Sequence, residues 1–254
     1  MLICRDVRTG AGCGARYPAA TPACLDPACG QSLRYALELS DPGAAVGGYR
    51  IIRLIDHGSF GAVYEAQHAA NSTRVALKET ITFATSAGFQ SELASLQQLS
   101  HPSLPTYFEV FEHDGHGYLA MEYVPGQTLE AVIASASALM PEGQFLGYAL
   151  QLCDALTYLH TASSPVLHRD IKPANVRVTP EGLLKLVDFG LFKTGDNHTR
   201  HTISGFGSPA YAPLEQYSGG TTVQSDIYSL GATLYHLGTN VQPPSAMERF
   251  TATG

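Results

Sequence analysis

Two stretches carry residues whose types and spacing suit chemistry: "VLHRDIKPAN" at 166–175 and "VDFG" at 187–190. They set two acids, Asp170 and Asp188, around Lys172 and Asn175. Mg²⁺ takes a few hard oxygen ligands and keeps several waters, so Asp188 and Asn175 suit a metal ion that carries nucleotide phosphates. Asp170 is then left to orient a hydroxyl and accept its proton. Lys172 adds a cation where charge develops on a transferring phosphoryl group. Alone, each acid reads as a solvated loop residue or a helix cap. The set, in this order and at this spacing, does not.

These loops need elements to hold them. "YRIIRLID", "GAVYEAQH" and "TRVALKET" read as β-strands, and "YLAMEYV" as a fourth. Between the first two lies a turn with Gly58 and Gly61, where Asp56 stands in the place of a first glycine in a G-x-G-x-x-G pattern. Two glycines three apart are weak by themselves: they fit a phosphate loop or an ordinary hairpin. In "GFQSELASLQQLS", Phe89, Leu93, Leu96 and Leu99 recur at helical spacing. In "GQFLGYALQLCDALTYLH" the expected buried stripe is Leu146, Leu150, Cys153, Leu156 and Leu159, with Cys153 as plain core packing. "NVRVT" and "LLKLVDF" read as short strands, and "SDIYSLGATLYHL" as a helix. A strand-rich first half and a helix-rich second half suggest two lobes with a cleft between them.

The bulk numbers narrow the function classes. The chain has 254 residues, 44% of them hydrophobic and 15% charged, with a net charge of −7. Such a charge offers no global positive field for nucleic acid or anionic lipid, so no nucleic-acid partner is expected. No apolar run reaches the roughly 18–20 residues of a spanning helix. The start, "MLICRDVRTG", lacks the basic and apolar regions of a secretory signal, so a cytoplasmic location is expected.

Four of the five cysteines, Cys4, Cys13, Cys24 and Cys29, fall in the first 29 residues. Four thiolates suit tetrahedral Zn²⁺, and the glycines of "GCG" and "ACG" permit tight turns behind the ligands. Only the C-x4-C pair has ribbon spacing, since the other is C-x8-C. A zinc ribbon, a degenerate metal-free ribbon and a set of redox thiols all stay open. "ELSDPGAAVGG" reads as a linker.

"HRDIKPAN" resembles the catalytic loop of protein kinases, and "DFG" their metal-binding motif. "VALK" resembles the third-strand lysine motif, "YAPLEQY" the A-P-E region with Glu215 as its glutamate, and "SDIYSLGATLY" the buried helix whose Asp226 supports the catalytic loop. The chain is similar, over about residues 49–245, to the bacterial branch of eukaryotic-like (Hanks-type) serine/threonine protein kinases. Lys172 and Ser208, the hydroxyl residue before "PAYAP", fit that specificity.

The resemblance implies an α+β, bilobal protein kinase-like fold with a β-rich N-lobe and a helical C-lobe. With the cysteines and the glycine-rich stretch read as above, the expected domains are a zinc-ribbon-like segment at 1–36, a linker at 37–48 and a kinase domain at 49–254. The implied cofactors are ATP and Mg²⁺, with Mn²⁺ as a substitute; Zn²⁺ at the cysteines is the separate reading of their four thiolates, one of the three left open above. Asp170 is the implied catalytic base, assisted by Lys172 and Asn175, with the metal on Asn175 and Asp188. Lys78 is the implied ligand of the α- and β-phosphates and Glu92 its partner. The loop over ATP is implied to run through Ile55, Asp56, His57, Gly58, Ser59, Phe60, Gly61, Ala62 and Val63. Ala76 and Met121 line the adenine pocket, with backbone groups of Glu122 and Val124 offered to the base. Arg169 implies pairing with a phosphate on the loop that carries Thr199, Thr202 and Ser204, so autophosphorylation is expected there, against a plain polar loop.

Kinases of this type continue past "PPSAMERF" with further helices, so the C-lobe is expected to be truncated after its central buried helix. Two functions of different class follow. One is an active kinase acting on Ser/Thr of protein substrates, favoured because Lys78, Asp170 and Asp188 are all present. The other is a catalytically weak kinase-like scaffold that recruits partners.

Overall fold

A computed structural model describes residues 1–6, 12–18, 20–58, 61–80, 94–189 and 208–252. The chain divides into two compact units, Met1–Leu93 with Tyr107–Tyr123, and Ala94–Thr106 with Val124–Gly254.

The first unit is built on a six-stranded antiparallel sheet. Its strands are β4 (Ala45–Val46), β5 (Tyr49–Gly58), β6 (Gly61–His68), β7 (Arg74–Thr80), β8 (Tyr107–His113) and β9 (His116–Glu122), in the spatial order β4-β5-β6-β7-β9-β8. Because side chains alternate along a strand and directly paired residues share a face, the register sorts the sheet into two surfaces. One carries Val63 opposite Lys78, and Ala76 opposite Met121. The other is apolar: Tyr49, Ile51, Ala62, Tyr64, Ala66, Val75, Leu77, Tyr118 and Ala120 form one buried cluster.

A smaller sheet, ordered β2-β1-β3, comprises β1 (Leu2–Asp6), β2 (Arg16–Tyr17) and β3 (Ala36–Glu38). Ile3, Leu37 and Leu39 join the apolar cluster of the large sheet. Residues 37–48, expected as a linker from their glycine, alanine and proline content, thus contribute part of β3, all of β4, and the buried Leu37, Leu39 and Val46.

In the second unit, Thr128 caps helix α1 (Leu129–Ser135) by accepting from the Ala131 amide at 3.1 Å. Helix α2 (Glu142–His160) follows, then a three-stranded sheet of β10 (Gln127–Thr128), β11 (Val176–Val178) and β12 (Leu184–Leu186). Helices α3 (Val223–Thr239) and α4 (Ala246–Ala252) complete the described residues. The buried face of α2 is Tyr148, Leu152, Ala155, Leu156 and Leu159. That corrects the expected stripe: Leu146 is 49% and Leu150 69% exposed, and Cys153 is exposed rather than core. Both rows have helical spacing, and only the packed neighbours decide which turns inward. Leu96 is buried as expected, whereas Phe89 and Leu93 lie outside the described residues. No described helix is long and apolar enough to cross a membrane.

Candidate active site

The second unit holds the acids. Just before β11, Pro173–Asn175 form a 3-10 turn, and the backbone of Asn175 accepts from the Val187 amide at 2.8 Å. This bond ties the first motif to the second. The Asn175 side-chain nitrogen donates to the Asp170 carbonyl at 2.8 Å and to Asp170 Oδ2 at 2.9 Å. With its nitrogen engaged there, Asn175 has its side-chain oxygen as the ligand atom for a hard cation. Lys172 Nζ lies 3.2 Å from Asp170 Oδ2. Asp170 is 8% exposed, so its carboxylate meets a cation and an amide inside the fold rather than in bulk water. Arg169 (φ 66°) and Asp188 (φ 64°) both have left-handed backbone, which costs a non-glycine residue energy and concentrates at functional sites.

What holds this loop is Asp226 in the first turn of α3, 1% exposed. Its two oxygens accept the backbone amides of His168 and Arg169, each at 2.8 Å, and Oδ2 also meets His160 Nε2 at 3.0 Å. Burial works to raise its pKa. The His160 hydrogen bond, the nearby His168 and the two amides outweigh burial, and the carboxyl lies below its ordinary range. His168 is fully enclosed, and burial lowers its pKa against the pull of Asp226, Asp170 and Asp188. A single neutral tautomer satisfies its ring: Nε2–H donates to the Val187 carbonyl at 3.2 Å, and Nδ1 accepts from the Asp170 amide at 3.3 Å. Phe189 packs on that ring at 4.4 Å.

Glu215, expected in the A-P-E position, accepts from the Ser225 hydroxyl at 2.7 Å, and so ties the 3-10 turn Leu214–Ser218 to the start of α3. Gln216 was not singled out from the sequence. It is buried and donates to the Arg169 carbonyl at 2.9 Å. Nothing in "YAPLEQY" distinguishes this glutamine from a surface one.

In the first unit, Val63, Ala76, Lys78 and Met121 share one sheet face, and Asp56 is paired with Val63. Asp56 Oδ1 accepts from the His57 amide at 2.7 Å. Ala62 does not join them: its methyl is buried in the cluster on the opposite face. Gly61 has φ 144°, and a Cβ there would come within 2.0 Å of the Glu79 carbonyl oxygen. Glu122 ends β9 in this unit, whereas Val124 belongs to the second. Ile55 is half-buried in β5, and Gly58 is paired with Gly61. Ser59, Phe60, Glu92, Thr199, Thr202 and Ser204 lie outside the described residues.

The "Protein kinase domain" family matches residues 49–252. The chain belongs to the protein kinase family. Among its kinase relatives, serine/threonine-protein kinase PrkC of Bacillus subtilis is 34% identical over 75% of this chain and 30% of its own length. Serine/threonine-protein kinase Pkn1 of Myxococcus xanthus is 29% identical over 95% of this chain and 34% of its length. The chain therefore spans about a third of the length of these relatives. Among solved structures, the Mycobacterium tuberculosis PknI kinase domain aligns with TM-score 0.66 at 28% identity, covering 82% of this chain and 81% of that one. The apo form of PpkA-294 aligns with TM-score 0.69 at 25% identity, covering 84% and 83%. These bacterial relatives are Hanks-type serine/threonine kinases.

The kinase also carries a four-cysteine cluster that could hold a metal. The sulfur atoms of Cys4, Cys13, Cys24 and Cys29 all lie within 4.8 Å of one another. Cys4 and Cys29 are 3.6 Å apart and Cys13 and Cys24 3.4 Å, and none is in a disulfide. Zn–S bonds of about 2.3 Å in a tetrahedron set sulfurs about 3.8 Å apart, so the cluster has nearly the right size. Burial pushes the Cys4 thiol up to about 12, while the Tyr17 hydroxyl, 3.1 Å from Cys24, draws that thiol down to about 7. Tyr17 was not foreseen as part of this site.

Proposed function

We propose that the chain transfers the γ-phosphoryl group of ATP to serine and threonine hydroxyls of proteins. The observation that carries this reading is the convergence of Asn175 and Lys172 on the Asp170 carboxylate, with the loop backbone fixed by Asp226. Asp170 orients the acceptor hydroxyl and takes its proton. Lys172 offsets charge on the transferring phosphoryl group. Asn175, through its oxygen, and Asp188 hold Mg²⁺, which when bound neutralises the phosphate oxygens. Lys78 engages the α- and β-phosphates, with Glu92 as its partner, and Val63, Ala76 and Met121 enclose the base.

In the same reading the four cysteines hold zinc in a structural site, because four thiolates leave no open position for substrate. The loop with Thr199, Thr202 and Ser204 takes phosphate from the chain's own activity and presents it to Arg169. Intact-mass spectrometry after incubation with ATP and Mg²⁺ should show added phosphate. An unchanged mass rules out autophosphorylation. The parent reading is tested by transfer to a generic basic protein, lost in Asp170→Asn and in Lys78→Met.

A further inference from the structure

Strand β1 belongs to two cores at once. Leu2 and Cys4 face a small cluster with Cys24 and Leu33. Ile3, pointing the other way, is buried with Leu37 and Leu39 in the apolar cluster of the large sheet, against Ile51, Ala62, Tyr64, Leu77, Tyr118 and Ala120. That surface backs the face carrying Val63, Ala76, Lys78 and Met121. A core of four buried side chains is too small to fold such a segment without a cross-link. Metal binding at four thiolates would therefore supply its folding free energy.

A polar connection runs beside the apolar one. The Ser40 amide, just past β3, donates to the Tyr64 hydroxyl at 3.1 Å, and that hydroxyl donates to Glu79 Oε2 at 2.8 Å. Glu79 is 4% exposed and next to Lys78 on β7. Its other oxygen accepts from Tyr118 at 3.0 Å and pairs with His116 at 2.5 Å. A buried carboxylate depends on keeping such partners. Releasing the segment would uncover the rear of the sheet and change the partners of Tyr64, which helps to fix the strand that aims Lys78.

We propose that the cysteine segment is the rear wall of the nucleotide sheet, and that metal occupancy at its four thiolates sets the affinity of the chain for ATP. The proposal rests on the zinc and ATP readings above. It names a two-state element, the segment docked with metal or released without it, through which the two sites are coupled, and such coupling is reciprocal.

The test uses the full chain, loaded with zinc or stripped by a chelator that is then removed by gel filtration. Metal content is measured by mass spectrometry. Binding of a non-hydrolysable ATP analogue in excess Mg²⁺ is measured by calorimetry, and amide exchange is followed in β1, β3, β6 and β7. One zinc per chain is expected, with binding about tenfold weaker after stripping and restored on re-addition. Exchange should quicken in β6 and β7 as well as in β1 and β3. Tyr64→Phe keeps the ring and should keep the zinc, yet shrink the ratio between loaded and stripped affinities. A chain that takes up no zinc overturns the zinc reading and this proposal with it. A chain that binds zinc, but has the same nucleotide affinity and the same β6 and β7 exchange with and without it, overturns the coupling alone.

Discussion

Asp226 shows how much can hang on one buried side chain. It accepts the backbone amides of His168 and Arg169, in the loop that carries Asp170, and meets His160, all from 1% exposure. Asp226→Ala orphans both amides, at roughly 1–3 kcal/mol each. The variant should melt at a lower temperature and lose phosphate transfer more than tenfold, read by calorimetry and a kinase assay. Acid should weaken the fold in two steps. His168 is neutral in the fold with its pKa held below the ordinary value. As pH falls below about 6.5, the unfolded chain takes up its proton first and stability drops. Asp226 has a folded pKa below its ordinary value. Its contribution is therefore whole above about pH 4 and is lost as pH falls through the folded value. Urea midpoints that stay level from pH 7.5 to 5.5 would contradict the enclosed neutral histidine. At Asp56, on the strand before the glycine turn, Asp56→Gly removes an acid paired with Val63 on the Lys78 face. It should tighten ATP binding modestly in calorimetry; weaker binding would give Asp56 a positive role.

At the scale of elements, β5, β6, β7 and β9 were legible because alternation and flanking turns mark them, and motif order singled out Asp170, Lys172 and Asn175, which the structure brings together. Two things were not legible. The α2 sequence offers two helical rows, and periodicity cannot say that Leu152 and Ala155 face inward while Leu146 and Leu150 do not. The first 48 residues hid three short strands and β4, since segments of two to five residues give too little pattern. Gly61 needed coordinates as well. In the sequence it is a loop glycine, but in the fold its missing Cβ makes room for the Glu79 carbonyl on the neighbouring strand. Gly61→Ala forces a side chain onto left-handed backbone against fixed main chain, costing about 1–3 kcal/mol. The expected result is a lower melting temperature with weakened ATP binding. An unchanged melt would mean that β6 and β7 can separate there at little cost.

For the whole molecule, a protein kinase domain is joined to a four-cysteine segment that shares its first unit's apolar cluster. Family membership rests on residues 49–252, and relatives about three times as long leave substrates to experiment. The claim on which the rest depends is phosphoryl transfer through Asp170. The most direct measurement is incorporation of labelled γ-phosphate from ATP into a basic protein by the full chain, beside Asp170→Asn and Lys78→Met. Phosphoserine or phosphothreonine with the unaltered chain, and none with either variant although Asp170→Asn still binds ATP, is the expected result. Equal incorporation by the variants would contradict the mechanism.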